Sequence, residues 1–128
     1  MPRLMSFAAT VEQVRNRTKT VTRRNGWTFL RVGDILTAVD RNPRCGDDYE
    51  RLCDIRVTDI RTERLTDITV EDVAKEGFPG KSPAWFMAMY RKAFAQWRRG
   101  MAVRRIKFEY IGPATPGPEE RLSDVRGP

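Results

Sequence analysis

A small α+β domain, built as a partly closed barrel with helices at its rim, is the architecture this sequence predicts. Three observations lead there. The chain has 128 residues, 40% hydrophobic and 32% charged, which fits one domain with a single buried core. Short β-branched or alternating apolar runs occur at residues 4–7, 19–23, 35–39, 52–60 and 101–110 and read as strands. Helix caps interrupt them in the order β-α-β-β-β-α-α-β, without the regular alternation of a doubly wound sheet.

Taken in order, residues 4–7 are the first strand. Thr10 and Gln13 form a capping box; the helix it opens turns Val11 and Val14 to the core and ends near Asn16. The 19–23 strand follows, and Asn25-Gly26 marks a turn. Trp27 to Leu30 is a short apolar patch, and a second turn at Val32-Gly33-Asp34 leads into strand 35–39. Apolar on both faces, that strand should be central. Residues 40–50, with Pro43, Gly46, Asp47 and Asp48, read as a loop. The 52–60 run alternates, Cys53, Ile55 and Val57 pointing inward and Asp54, Arg56 and Thr58 outward.

Thr69 caps the next helix, Glu71 and Asp72 suit its first turn, Val73 faces inward and Gly77 closes it. Glu76 falls in the last turn, where the helix dipole disfavours an anion. It is either a frayed surface residue or one with a nearby cation, for which Lys19 is the candidate. Ser82-Pro83 starts a third helix, expected to run to Arg99 and stop at Gly100. Its stripe of Phe86, Met89, Tyr90, Ala93, Phe94 and Trp97 reads as core, with base stacking by Trp85 or Trp97 as the alternative. The last strand puts Ile106, Phe108 and Tyr110 on one face. The domain is therefore expected to span 1–112, followed by a disordered Pro- and Gly-rich tail over 113–128.

Composition narrows the chemistry. There is no histidine, which excludes Ser-His-Asp and Cys-His catalysis and any histidine-bearing zinc site. Cys45 and Cys53 match no zinc spacing and read as free thiols rather than a regulatory disulfide. No metal or cofactor is expected. No run is apolar enough to span a membrane and no signal peptide is evident, so a cytoplasmic protein with no membrane partner is expected, and a monomer. The net charge is 24 − 17 = +7, which points to an anionic partner, nucleic acid above all. The charge is zoned. Arg15, Arg17, Lys19, Arg23 and Arg24 cluster without an acid. No Asp or Glu falls between Gly77 and Phe108, a stretch holding Lys81, Arg91, Lys92, Arg98, Arg99, Arg104, Arg105 and Lys107.

From about Phe7 to Tyr110 the chain resembles the ASCH domain family, a branch of the PUA-like barrel superfamily. The matching pieces are the early helix leading into Lys19-Thr20-Val21-Thr22-Arg23-Arg24, the Val32-Gly33-Asp34-Ile35-Leu36 turn and strand, and the alternating strand around Cys53. Further matches are the Val70 to Gly77 helix, the aromatic helix after it and the closing strand at Ile106 to Glu109. The resemblance implies a cleft between barrel and helices that binds RNA or a nucleotide. Many family members carry glutamate three residues after the lysine; here that residue is Thr22. This pattern is similar to small bacterial members that deacetylate N4-acetylcytidine with a lysine, a threonine and a glutamate. Lys19, Thr22 and Glu76 are the matching residues, with Arg24 as the strand-end arginine. A glycine that often precedes the lysine is missing, Arg17 and Thr18 occupying that turn, and the helical region and tail are longer.

Two functions follow as expectations. One is binding of RNA, DNA or a modified nucleoside, with Arg15, Arg17, Arg23, Arg24 and Trp27 in contact with it. The other is amide hydrolysis, in which Lys19 is the base, Thr22 the nucleophile or water-positioner and Glu76 the proton carrier. The same three residues could instead hydrogen-bond the edge of a flipped-out base without turnover. Nuclease activity is a third reading, but the sequence offers no metal-binding carboxylate cluster, Asp47-Asp48 being a solvated loop pair.

Overall fold

Strand β4 (Arg51–Arg64) is the longest element and the spine of a five-stranded mixed sheet. The structure is a computed structural model and describes residues 2–43 and 48–117. The other elements are β1 (Arg3–Ser6), α1 (Val11–Arg15), β2 (Val21–Arg24), β3 (Ile35–Val39), α2 (Val70–Lys75), α3 (Pro83–Ala93) and β5 (Ala102–Gly112). The sheet order is β1-β3-β4-β5-β2. Only the β1–β3 pair is parallel. The sheet curls into a half-barrel with helices beside it, the α+β architecture the sequence predicts. Among the described residues, no helix is long and apolar enough to cross a membrane.

β4 outruns its expected limits because its pairing with β5 shifts register between Asp54 and Ile55 and again between Val57 and Asp59. Such irregularities bend and twist a strand without ending it. The bent strand serves two cores. Met5, Phe7, Val14, Leu36, Ile55 and Phe108 belong to one, inside the sheet's curl. Leu65, Val73, Phe86, Tyr90, Trp97 and Val103 belong to the other, under the helices. The space between the two is where the candidate site lies.

Several local expectations need correction. Asp54 alternates outward on paper, yet it is buried, accepting from Thr37 Oγ1 at 2.6 Å and from Thr115 N at 3.0 Å. Those bonds satisfy a carboxylate that water would otherwise have to solvate. They also hold residues 113–117 against the sheet, where Arg51 Nη1 donates to Thr115 O at 3.3 Å. The expected disordered tail therefore does not start at 113; residues 118–128 lie outside the described residues, as does Cys45. Thr10 precedes α1, but its side chain makes no capping hydrogen bond.

α3 ends at Ala93, not Arg99. Phe94 leaves helical geometry at φ −124° and ψ 80°, and the chain turns so that the Trp97 ring meets Tyr90 edge-on at 6.3 Å. Trp97 is buried with Phe86 and Tyr90, brought there by a turn, whereas Ala93 and Phe94, expected in the core, are exposed and Met89 is half-buried. The other caps form as read: Thr69 Oγ1 accepts from Asp72 N at 3.2 Å and Ser82 Oγ from Trp85 N at 3.0 Å.

Gly77 shows why α2 stops where it does. Its φ is +109°, and a Cβ there would lie 2.7 Å from Gln13 Cγ. Both the left-handed backbone and the contact with α1 call for glycine. Gly77→Ala is expected to destabilise the protein by about 1–3 kcal/mol; thermal unfolding checks this, and an unchanged midpoint would show that the α1–α2 contact yields freely.

Candidate functional site

Three elements fix Lys19 before its side chain makes any contact. Its backbone N–H donates to Gln13 O at 3.2 Å, the neighbouring Thr20 N–H to Lys75 O at 2.8 Å, and its carbonyl accepts from Tyr110 Oη at 2.5 Å. The turn from α1 runs through Arg17 at φ +61°, a strained conformation for a residue with a Cβ. So anchored, the Lys19 ammonium reaches the end of α2. It donates to Glu76 Oε1 at 2.7 Å and to the Glu76 carbonyl at 2.8 Å. Glu76, unfavourable against the helix dipole by itself, thus has its cation. Both residues are 3% exposed.

Arg23 takes the other Glu76 oxygen, at 2.9 Å, and reaches Glu63 at 2.7 Å and Asp72 at 2.5 Å. In the β2–β5 register Arg23 sits opposite Arg105. Arg105 donates to both oxygens of Asp72, at 2.6 and 3.1 Å. Two arginines side by side across a ladder would repel; the shared carboxylate from α2 offsets this. Arg105 and Arg23 hold the Asp72 carboxyl well below its usual range, against the effect of burial. Burial pushes the Lys19 ammonium below its ordinary pKa, with Glu76 opposing the shift.

On β2, Thr22 and Arg24 stand two residues apart and share a face. Arg24 Nε donates to Thr22 Oγ1 at 3.1 Å, and Arg24 Nη2 to Ser6 O on β1 at 2.5 Å. Since β1 and β2 are the two edges of the sheet, this arginine spans the opening of the half-barrel. Its guanidinium lies 4.9 Å from the centre of the Phe7 ring. Lys19, Thr22, Arg23, Arg24 and Glu76 all line one cavity of about 370 Å³. Phe7 walls it from the sheet side, and Phe78, Phe86, Met89, Tyr90 and Phe94 from the helix side. Tyr90 is 2% exposed and its hydroxyl has no hydrogen-bond partner among the described residues. Burial pushes that phenol up to about 12, so it stays protonated at neutral pH.

The sequence-predicted residues therefore divide. Lys19, Thr22, Glu76 and Arg24 come together in the cavity. Arg23 reaches it too, but as a buried, three-fold paired residue and not as a phosphate contact. Arg15 is on the surface, paired with Glu50 at 2.8 Å. Arg17 lies over the Tyr110 ring at 5.7 Å. Trp27 packs on the first core beside Phe29, with ring centres 5.4 Å apart. None of these last three lines the cavity. Asp72, Arg105, Glu63 and Tyr90 were not read as site residues: Glu63 carried no signal, Arg105 stood in the second basic zone and Tyr90 in the core stripe. Asp72 carried one signal, as an acid in a first helical turn, but that accounts for it without any partner. Among the described residues, no group of acids and cysteines could hold a metal ion.

No family model and no curated protein matches the sequence. Solved structures do match. The ASCH domain from Lactobacillus crispatus JV V101 superposes with TM-score 0.64 at 16% identity, over 84% of this chain and 79% of that one. An Enterococcus faecalis V583 protein of family DUF984 gives TM-score 0.64 at 14% identity, over 91% and 84% of the two chains. A mutant ASCH protein from Zymomonas mobilis gives 0.58 at 13%, over 96% and 79%. The molecule is thus a small α+β half-barrel with a cation-lined cavity between sheet and helices. More particularly, its fold is that of the ASCH domain proteins.

Proposed function

We propose that the cavity binds a nucleobase, presented by a nucleoside, a nucleotide or an RNA strand. The observation that carries this reading is a cavity of about 370 Å³ with aromatic walls on two sides and fixed polar groups between them. Planar heterocycles are held in that way, by stacking on rings and by hydrogen bonds along an edge. The oxygens of Thr22 and Glu76 can accept, and Lys19, Arg24 and Tyr90 can donate. Lys81, Arg91, Lys92, Arg98 and Arg99, on or beside α3, are exposed and make no ion pair among the described residues. They are available to the phosphates of a longer ligand. Calorimetric titration with the four nucleosides and with short single-stranded RNA tests the proposal. Saturable one-site binding that Thr22→Val weakens at least about fivefold is the expected result. Absence of binding to any of these ligands removes it.

Amide hydrolysis of an N4-acylated cytidine is the second reading. It is favoured by the Thr22 hydroxyl sharing the cavity wall with a buried Lys19–Glu76 pair. Arg24 Nε occupies an acceptor site of that hydroxyl, which leaves its proton free to be given up. The hydroxyl, or a water held by it, would add to the acyl carbonyl. With the proton of the pair resting on Glu76, the neutral Lys19 amine would take the proton of the attacking hydroxyl or water, and Glu76 would give its own to the leaving amine. Where Thr22 itself attacks, a water would then cleave the acyl–Thr22 ester to release acetate. Incubation with N4-acetylcytidine, followed by chromatography, should yield cytidine and acetate, with at least about a hundredfold less from Lys19→Ala. Because Lys19 is buried in an ion pair and not at a cleft mouth, the variant's melting curve must be recorded beside the assay. A folded Lys19→Ala that turns over at the wild-type rate rules out the assigned roles.

A further inference from the structure

Behind the cavity Lys19, Arg23 and Arg105 are all held in direct ion pairs with Glu63, Asp72 and Glu76. Arg24 is left over. Its two hydrogen-bond partners, Thr22 Oγ1 and Ser6 O, are both neutral. Glu76, whose field reaches it, has one oxygen engaged by Lys19 and the other by Arg23. Phe7 covers one side of the guanidinium. Arg24, half-buried, has therefore given up part of its hydration without gaining an ion-pair partner, an arrangement that costs stability unless something else supplies a counter-charge. The same cavity holds a second unmet group, the buried Tyr90 hydroxyl with no acceptor. A cation without an ion-pair partner and a neutral donor without an acceptor among the described residues thus line one small space.

We propose, resting on the nucleobase reading above, that the ligand carries a compact anionic group, phosphate or carboxylate, seated on Arg24 and Tyr90. The ligand is then a nucleotide or an acidic nucleobase in preference to a neutral nucleoside. An oxyanion with two or three oxygens can accept from the guanidinium and the phenol at once. Burial pushes Arg24 down to about 10, so it remains a cation at neutral pH, and a bound anion would draw its pKa back up. The phenol stays protonated and donates without adding charge.

Calorimetry with two matched pairs tests this and separates the two anion sources: cytidine against cytidine 5′-monophosphate, and uracil against uracil-6-carboxylate. At least one anion is expected to bind about tenfold or more tightly than its neutral counterpart. Preference in the first pair identifies a phosphate, and in the second a carboxylate. Arg24→Gln should abolish the preference, the anionic ligand losing at least about tenfold more affinity than its neutral counterpart. Tyr90→Phe, which keeps the ring in the core, should reduce it several-fold without touching the charge. Equal binding of neutral and anionic partners overturns the inference and leaves the nucleobase reading standing. A preference that survives both variants overturns it in the same way. If none of the four ligands binds, this inference falls; the nucleobase reading falls with it only if the four nucleosides and single-stranded RNA also fail to bind.

Discussion

Glu76→Ala is expected to lower the stability of the protein by about 3–5 kcal/mol, the usual loss when one partner of a buried ion pair is removed. Glu76 is 3% exposed and accepts from Lys19 and Arg23 together. The two cations do not suffer equally. Arg23 keeps Glu63 and Asp72, whereas Lys19 keeps only the backbone carbonyl of residue 76. Most of the cost therefore falls on Lys19, a buried ammonium left without an anion. Set against a typical stability of about 5–15 kcal/mol, a loss of this size leaves the variant marginal. Glu76→Gln gives the useful contrast. Its carbonyl oxygen still accepts from Lys19, but its amide nitrogen cannot accept from Arg23, so an intermediate loss is expected. Urea denaturation midpoints measure both. A Glu76→Ala loss below about 1 kcal/mol would mean that Lys19 escapes to solvent, and that the pair is not locked.

Strands, caps and the Lys19–Glu76 contact were legible because each depends on a local rule. β-branched runs, Thr69 and Ser82 before their helices, and an acid at the wrong end of a dipole act within a few residues. Arg23 was not legible. In the run Arg15 to Arg24 it looks the same as Arg24, but pairing opposite Arg105 and the approach of Asp72 from α2 decide its fate. Those contacts are 49 residues or more away in sequence, beyond any periodicity. Asp54 misled for a related reason: alternation places it outward, but Thr115 returns to cover it. The aromatic stripe showed the burial of Phe86, Tyr90 and Trp97 but not the exposure of Ala93 and Phe94, because the helix ends at Ala93 and Trp97 reaches the core by a turn after α3. Tyr90 was legible as a core ring. That its hydroxyl lacks a partner depends on every neighbour at once, and no local pattern carries that.

Asp72→Asn should show the same network through its dependence on pH. Asp72 accepts from Arg105 Nε at 2.6 Å and Nη2 at 3.1 Å and from Arg23 Nη2 at 2.5 Å. Hydrogen bonding from Arg105, then from Arg23, holds its carboxyl well below the ordinary 3.8 in the folded protein, although burial acts the other way. The unfolded chain therefore takes up the proton first as pH falls. The stabilisation is complete above the unfolded value, near 3.8, and is lost progressively as pH drops through the folded one. Asparagine removes this titration and also presents an amide that cannot satisfy two guanidinium groups. At neutral pH the variant is expected to be less stable by about 3 kcal/mol or more. Its deficit relative to wild type should shrink between about pH 4 and pH 2, because only the wild type loses stability through this group. Midpoints of thermal unfolding for both proteins, taken from neutral pH down to about pH 2, measure the gap. A gap that stays constant over that range would assign Asp72 a packing or capping role on α2. A gap that closes would establish its carboxylate as the counter-charge that lets Arg23 and Arg105 lie side by side, and so keeps Arg23 on Glu76 behind the cavity.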